Sequence, residues 1–238
     1  MALGLVLALA ACGGAPFSGA IGYASAVRLP FCPRRPSRSS PRRSTAIKPR
    51  AWSSRAERSC RGVTRIVAYA VPPEHDEAFI AAWERARAAA GAGAATLHRA
   101  LLADAPLRFV ALARGADAPA GEEAVIPFPS HGGAYEVVRE RGAVDASGGV
   151  LRIELFRMPE DGDEPFLAAW DRAARVLADQ QGHIGARLHR STGPADFRFV
   201  AVARWSSPLM VARALRRAEV AAAVPAAAHA ALYQAVGD

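Results

Sequence analysis

The chain says nearly the same thing twice. Leu97-His98-Arg99 returns as Leu188-His189-Arg190, and Arg108-Phe-Val-Ala-x-Ala-Arg114 returns as Arg198-Phe-Val-Ala-x-Ala-Arg204. Upstream, Phe79-Ile-Ala-Ala-Trp83 is matched by Phe166-Leu-Ala-Ala-Trp170. Downstream, His131-x-x-x-Tyr135 is matched by His229-x-x-x-Tyr233. Four landmarks in one order mean a duplicated unit. Its period of about 90 residues is too long for a solenoid repeat and right for a small domain. A duplication can build inside one chain what a homodimer builds from two, so the space between the copies is a natural place to look for a site.

Charge and cysteine divide the chain differently. Residues 1–60 hold Lys48, nine arginines and a single acid, Glu57; residues 61–238 are balanced at 20 basic and 21 acidic groups. The net charge of +8 therefore belongs to the leader, and the body gives no electrostatic reason to expect nucleic acid. Cys12, Cys32 and Cys60 lie in the leader too, which excludes thiol chemistry, cysteine metal sites and disulfides from the body. With Lys48 the only lysine, Schiff-base chemistry is excluded there as well. Residues 1–62 read as a leader outside the fold. The apolar run Leu3–Ala11 is far shorter than the about 20 residues needed to span a bilayer. Three origins stay open: a lipoprotein-like signal ending at Leu9-Ala-Ala-Cys12-Gly13, an Arg- and Ser-rich transit peptide to a plastid or other organelle, or translated upstream sequence before a start at Val63. The last leaves a cytoplasmic protein.

The body reads as α+β: two tandem ferredoxin-like units, each β-α-β-β-α-β, over 63–139 and 150–238, joined by a Gly-containing linker at 140–149. In the first unit a strand at 64–71 leads into a helix whose stripe is Phe79, Ala82, Trp83, Ala86 and Ala90. A hairpin turns at Asp104-Ala-Pro106. Its second helix, within 115–130, is cut short by Pro119, Pro127 and Pro129. The second unit has helices predicted at 163–180 and 209–224. Each unit alone leaves one sheet face bare, so the copies are expected to pair their sheets into an intramolecular α/β barrel. The expected assembly is a monomeric pseudo-dimer or a weak homodimer. By strand parity, Ile66, Ala68, Ile153 and Leu155 should lie under the helices. Arg65, Val67, Tyr69, Arg152, Glu154 and Phe156 should face the space between the sheets. His98 and His189, opposite in parity to Leu97 and Leu188, should face that space as well.

These residues carry a resemblance. Gly182-x-x-Gly-x-Arg-Leu-His-Arg-Ser191, Arg198-Phe-Val-Ala-Val-Ala-Arg-Trp205 and His229-x-x-Leu-Tyr233 resemble the antibiotic biosynthesis monooxygenase family of dimeric α/β-barrel proteins. Pro127-Phe-Pro-Ser-His131 leading into Tyr135-Glu-Val-Val138 adds a second trait in the first copy. The resemblance spans 64–139 and 150–237. It implies the barrel fold and, as an activity, oxygenation of an aromatic or quinol-type small molecule without a cofactor. Because the superfamily also degrades haem, haem stays an alternative, with no ligand singled out. The family's cofactor-free oxygenases carry Asn, then Trp four residues later, then Tyr six after that. Here those places hold Ala201, Trp205 and Val211, and in the first copy Ala111, Gly115 and Gly121.

The candidate site is accordingly His189 as general base, since an imidazole titrates near neutrality, with Glu154, Arg152, Trp205, Phe156, His98 and Tyr69 lining the substrate space. No metal-binding motif is present, and the expected partner is a small apolar or aromatic molecule rather than nucleic acid or membrane. The missing amide favours the alternative of a barrel that binds a small molecule, or simply folds, without turnover. His75 and His183 read as solvent-facing.

Overall fold

The computed structural model describes residues 63–89, 95–114, 126–145 and 147–237. The leader and most of the first copy's expected second helix, 115–125, lie outside the described residues. In the first copy, β1 (Val63–Tyr69) leads through a 3-10 turn at Pro73–His75 into α1 (Asp76–Ala89). Then come β2 (Thr96–Ala100), β3 (Phe109–Arg114) and β4 (Ser130–Gly142). The second copy runs β5 (Val150–Phe156), α2 (Asp163–Ala178), β6 (His183–Ser191), β7 (Phe199–Trp205), α3 (Pro208–Leu215), α4 (Ala218–Ala223) and β8 (His229–Ala235). Acidic pairs open both long helices, Asp76-Glu77 and Asp163-Glu164, where the helix dipole favours negative charge. Ser207 caps α3 by accepting from the Met210 amide, with Pro208 in the first turn. The single helix predicted over 209–224 is two: Arg217 turns extended between them, and Val220 of α4 is fully buried.

The eight strands close into an antiparallel barrel in the order β1-β3-β2-β8-β5-β7-β6-β4. Each copy contributes four adjacent strands with its first strand inside, and the copies join edge to edge at two seams. Closure leaves no strand edge unpaired, which removes the liability each sheet would carry alone. The seams are unequal. β4 pairs with β6 from Tyr135–Ser191 to Gly142–Gly185, whereas β2 pairs with β8 only from His98–Ala235 to Ala100–Tyr233.

The duplication extends to contacts. Phe79 stacks on Phe109 at 4.4 Å and Phe166 on Phe199 at 4.6 Å, both at 27°. Arg108 forms a two-pronged pair with Asp76, and Arg198 repeats it with Asp163, the first residue of the matching helix. Across the copies, Tyr135 donates to the Phe197 carbonyl and Tyr233 to the equivalent Leu107 carbonyl.

The parity expected of the first strands is reversed. Ile66, Ala68, Ile153 and Leu155 fill the barrel interior with Val110, Val200 and Tyr233. Tyr69 lies instead in the helix-side core with Phe79 and Trp83, and Phe156 and Trp205 in that of the second copy with Phe166 and Trp170. Arg65, Val67, Arg152 and Glu154 share the outward parity of Tyr69 and Phe156. The physical reason is that a barrel wall covered by helices is buried on both faces, so alternation stops distinguishing inside from outside. The linker also does more than connect. β4 continues to Gly142, and Val144 is inserted into the barrel core. Arg204 donates to the carbonyls of Val144 and Gly148, at 2.7 and 2.6 Å. Asp145 accepts from Arg114 of the first copy and Arg187 of the second. Residues 143–145 and 147–149 therefore stop one mouth of the barrel.

Candidate functional site

On β5, Leu151, Ile153 and Leu155 point inward, and Val150, Arg152, Glu154 and Phe156 outward, beneath the helices. Register sets their neighbours. Val150 pairs with Trp205, Arg152 with Ala203, Glu154 with Ala201 and Phe156 with Phe199. On the other side Arg152 pairs with Leu232 and Glu154 with Ala230. The two charged residues thus stand on a floor of alanines, flanked by Trp205 at one end and the Phe156–Phe166 contact (4.8 Å) at the other. Val211, Ala214 and Val220 of α3 and α4 belong to the same core.

This face is polar and incompletely satisfied. Arg152 Nη2 lies 2.9 Å from Glu154 Oε1, an ion pair by distance but off the line of a hydrogen bond. Arg152 Nη1, Glu154 Oε1, Trp205 Nε1 and His183 Nε2 are all buried without a hydrogen-bond partner. His183, expected in solvent, is half-buried with its ring edge-on to Trp205 at 5.0 Å, and burial lowers its pKa. Sequence missed it because a bulge between His183 and Gly185 shifts the register at that end of β6. Burial also pushes the Glu154 carboxyl above the usual carboxylate range, with Arg152 opposing. Native proteins seldom leave such groups unpaired, and several on one face mark a place where a ligand can complete them. Glu154 can take or give a proton, Arg152 can hold an anion, and the two ring N–H groups can donate.

The seven residues expected to share one site divide among three places. Arg152, Glu154, Phe156 and Trp205 come together on the helix side of the second copy. Tyr69 occupies the equivalent of Phe156 in the first copy, 4.9 Å from Phe79. His98 and His189 face the barrel interior, as their parity against Leu97 and Leu188 predicted, and are therefore on the opposite side of the wall from Glu154. His189 Nδ1 donates to the Val200 carbonyl, and burial, with the Arg187 and Arg114 charges, lowers its pKa to about 4. It is neutral and a poor base at pH 7.

Among the described residues no three His, Cys, Asp or Glu side chains converge to hold a metal ion. No described histidine is singled out as a haem ligand either. An axial histidine needs a nitrogen facing an open apolar slot. His189 Nδ1 bonds Val200, His229 Nε2 bonds Tyr233, His131 Nδ1 pairs with Asp196, and the Trp205 edge stands against His183. The outer face offers a guanidinium and a carboxylate instead. No described helix is long and apolar enough to cross a membrane.

Residues 149–226 match the model of the antibiotic biosynthesis monooxygenase family. No curated protein matches. Among solved structures, an anthrone oxidase-like protein is similar at 16% identity and a TM-score of 0.51, over 74% of this chain and 92% of that one. A monooxygenase-like protein from Listeria innocua aligns at 13% identity and a TM-score of 0.48, over 75% of this chain and 97% of that one. A haem-degrading enzyme from Listeria monocytogenes aligns at 13% and 0.44, over 72% and 97%. At 16% identity the likeness to the anthrone oxidase-like protein is one of fold. The match to the antibiotic biosynthesis monooxygenase family model falls on the second repeat, and the first repeats the same α+β unit to complete a barrel within one chain.

Proposed function

We propose that the protein binds an acidic aromatic molecule, a phenol or quinol, between the helices and the sheet of its second copy, and oxygenates it without a cofactor. The observation that carries this reading is the set of four buried polar atoms without a hydrogen-bond partner on Arg152, Glu154, Trp205 and His183, of which only the Glu154 oxygen has an ion pair, with Arg152. Glu154 takes the role that sequence had given to His189. Its raised pKa makes it a stronger base than an ordinary carboxylate, and a phenolic proton is the kind it would accept. Arg152, two residues away on the same face, would stabilise the phenolate, and the electron-rich anion would then react with dissolved oxygen. Glu154 lies directly beside Ala201, where the family's oxygenases carry an amide, so the polar function would come from the neighbouring strand.

The alanine at 201 is also the observation behind a second reading, binding without turnover. An oxygen electrode with anthrone and 1,4-dihydroxynaphthalene, run beside tryptophan-fluorescence titrations, separates the two. Turnover should bring oxygen uptake that falls about 100-fold or more in Glu154→Gln, while Arg152→Met chiefly raises KM. Quenching without uptake would favour binding alone. Uptake unchanged in both folded variants would sink the catalytic reading.

A further inference from the structure

The barrel is asymmetric in a way that its duplication does not require. At the long seam, β4 stays paired with β6 as far as Gly142–Gly185. At the short seam, β8 ends at Ala235, opposite His98, and beyond it the contact continues only through the backbone bond from the Val236 N–H to the Leu97 carbonyl. A cleft of about 400 Å³ opens there. One wall is Trp83, Leu97 and His98 of the first copy. The other is Leu151, Arg204 and Tyr233 of the second, and Asp145, Ser147, Gly148 and Gly149 of the linker border it. His98, Leu151 and Tyr233 belong to the barrel interior, so the cleft reaches through the wall rather than lying on it.

We propose that this cleft is a second ligand site, separate from the helix-side face of the second copy, and that it takes a neutral, flat, ring-containing molecule. Its volume suits a small organic ligand. Trp83, with the Arg87 guanidinium 5.5 Å over its ring, lines the cleft, and Leu97, Leu151 and Val236 add apolar contact. The charges on the lining cancel and are already engaged. Arg87 is held by Glu84, Asp145 by two arginines, and Arg204 donates to two linker carbonyls. A charged ligand would have to break one of these pairs, whereas a neutral one would not. Neither copy alone has both walls, so the site exists only because the two are joined.

A pair of probes tests this on the full chain: N-phenyl-1-naphthylamine, which is neutral, and 8-anilinonaphthalene-1-sulfonate, the same ring system with an anionic group. The neutral probe should brighten on binding and the sulfonate should bind at least 10-fold more weakly. Ala235→Phe and Ala95→Phe, which fill the cleft from opposite walls, should each weaken the neutral probe 10-fold or more without changing oxygen uptake or phenol binding at the helix-side face. Using both guards against one variant misfolding, which a melting curve would reveal. The proposal is overturned if the neutral probe does not bind, if the sulfonate binds equally well, or if Arg152→Met abolishes probe binding while folded Ala235→Phe and Ala95→Phe leave it intact.

Discussion

In the first copy, Arg65 shares the outer face of β1 with Val67; in the second, Arg152 shares the matching face of β5 with Glu154. Elsewhere the copies keep the same machinery: the stacked phenylalanines under the first helix, the Arg–Asp pair at the helix start, the tyrosine that reaches across to the other copy's backbone. What differs is the cost each face carries. The second copy buries a carboxylate, a guanidinium, an indole N–H and an imidazole with atoms lacking a hydrogen bond, and the first has an apolar side chain at the position of that carboxylate. Contacts repeated in both copies are those that any copy needs in order to fold. A costly feature kept in only one is a candidate for function.

The largest effect should come from what the copies share. Phe109 and Phe199 are both fully buried and both stacked on a helix phenylalanine. Replacing either by alanine should cost about 3–5 kcal/mol. Because the two copies close one continuous barrel, either variant should unfold in a single urea transition seen identically by circular dichroism and fluorescence. Two transitions, or a first copy that melts on its own, would break the view of the barrel as one cooperative unit.

The next effect runs the other way. Replacing the buried pair with apolar groups, Arg152→Met with Glu154→Leu, should stabilise the protein by about 1–4 kcal/mol, because the desolvation of both charges is removed together. The pH dependence has a definite sign. Glu154 has its folded pKa raised by burial, so its contribution is favourable below the ordinary carboxylate value and is lost as pH rises through the raised one. The gain of the double variant should therefore be larger at pH 8 than at pH 4. A double variant less stable than the parent at pH 8 would mean that the pair holds the fold together rather than waiting for a ligand.

How much of this could be read from the chain differs between backbone and site. The repeat, the element order and the closing of two sheets were legible because they rest on landmarks such as Phe79/Phe166 and Arg108/Arg198, whose spacing survives duplication. The inward turn of His98 and His189 followed once Leu97 and Leu188 were taken to lie under the helices, which is where they are. The direction of Glu154 was not. Val150 to Phe156 has apolar residues on both parities, and the charged pair was assigned to the side that looked more polar. That side is packed with Ile153 and Leu155. The interior's polar groups come from other strands, through Arg187, His189 and Ser191 of β6 and His98 of β2. Nothing in the sequence signals that the linker would enter the barrel mouth or that β8 would leave its seam short.

Asp145 sharpens the comparison from the linker side. It joins an arginine of each copy, and those hydrogen bonds hold its carboxyl well below the usual carboxylate range. Its contribution is thus full above an ordinary carboxylate pKa of about 4 and is lost as pH falls towards the depressed value. Its side chain is half exposed, so Asp145→Asn should cost only about 1–2 kcal/mol at pH 7. Variant and parent should converge in urea midpoint towards pH 2. A variant equal to the parent at pH 7 would mean that Val144 and Arg204 hold the plug without it.

The smallest effect tests the symmetry most finely. Tyr135 donates to the Phe197 carbonyl at 3.1 Å and Tyr233 to the Leu107 carbonyl at 2.8 Å, and both rings are buried. Removing either hydroxyl should cost about 1 kcal/mol, the net value of one buried hydrogen bond. The copies are not identical here. His229 Nε2 lies 3.0 Å from the Tyr233 oxygen, whereas His131, its counterpart, turns to Asp196 instead. Because the Tyr233 proton goes to the carbonyl, its oxygen accepts from the histidine, and burial keeps that imidazole neutral. Tyr233→Phe therefore strands two groups and Tyr135→Phe one, so the former should lose a few tenths of a kcal/mol more. His229→Ala should narrow that difference, since it removes the second group in advance. Equal losses, unchanged by His229→Ala, would show that the histidine contact adds nothing and that the two cross-copy bonds are equivalent in energy as well as in position.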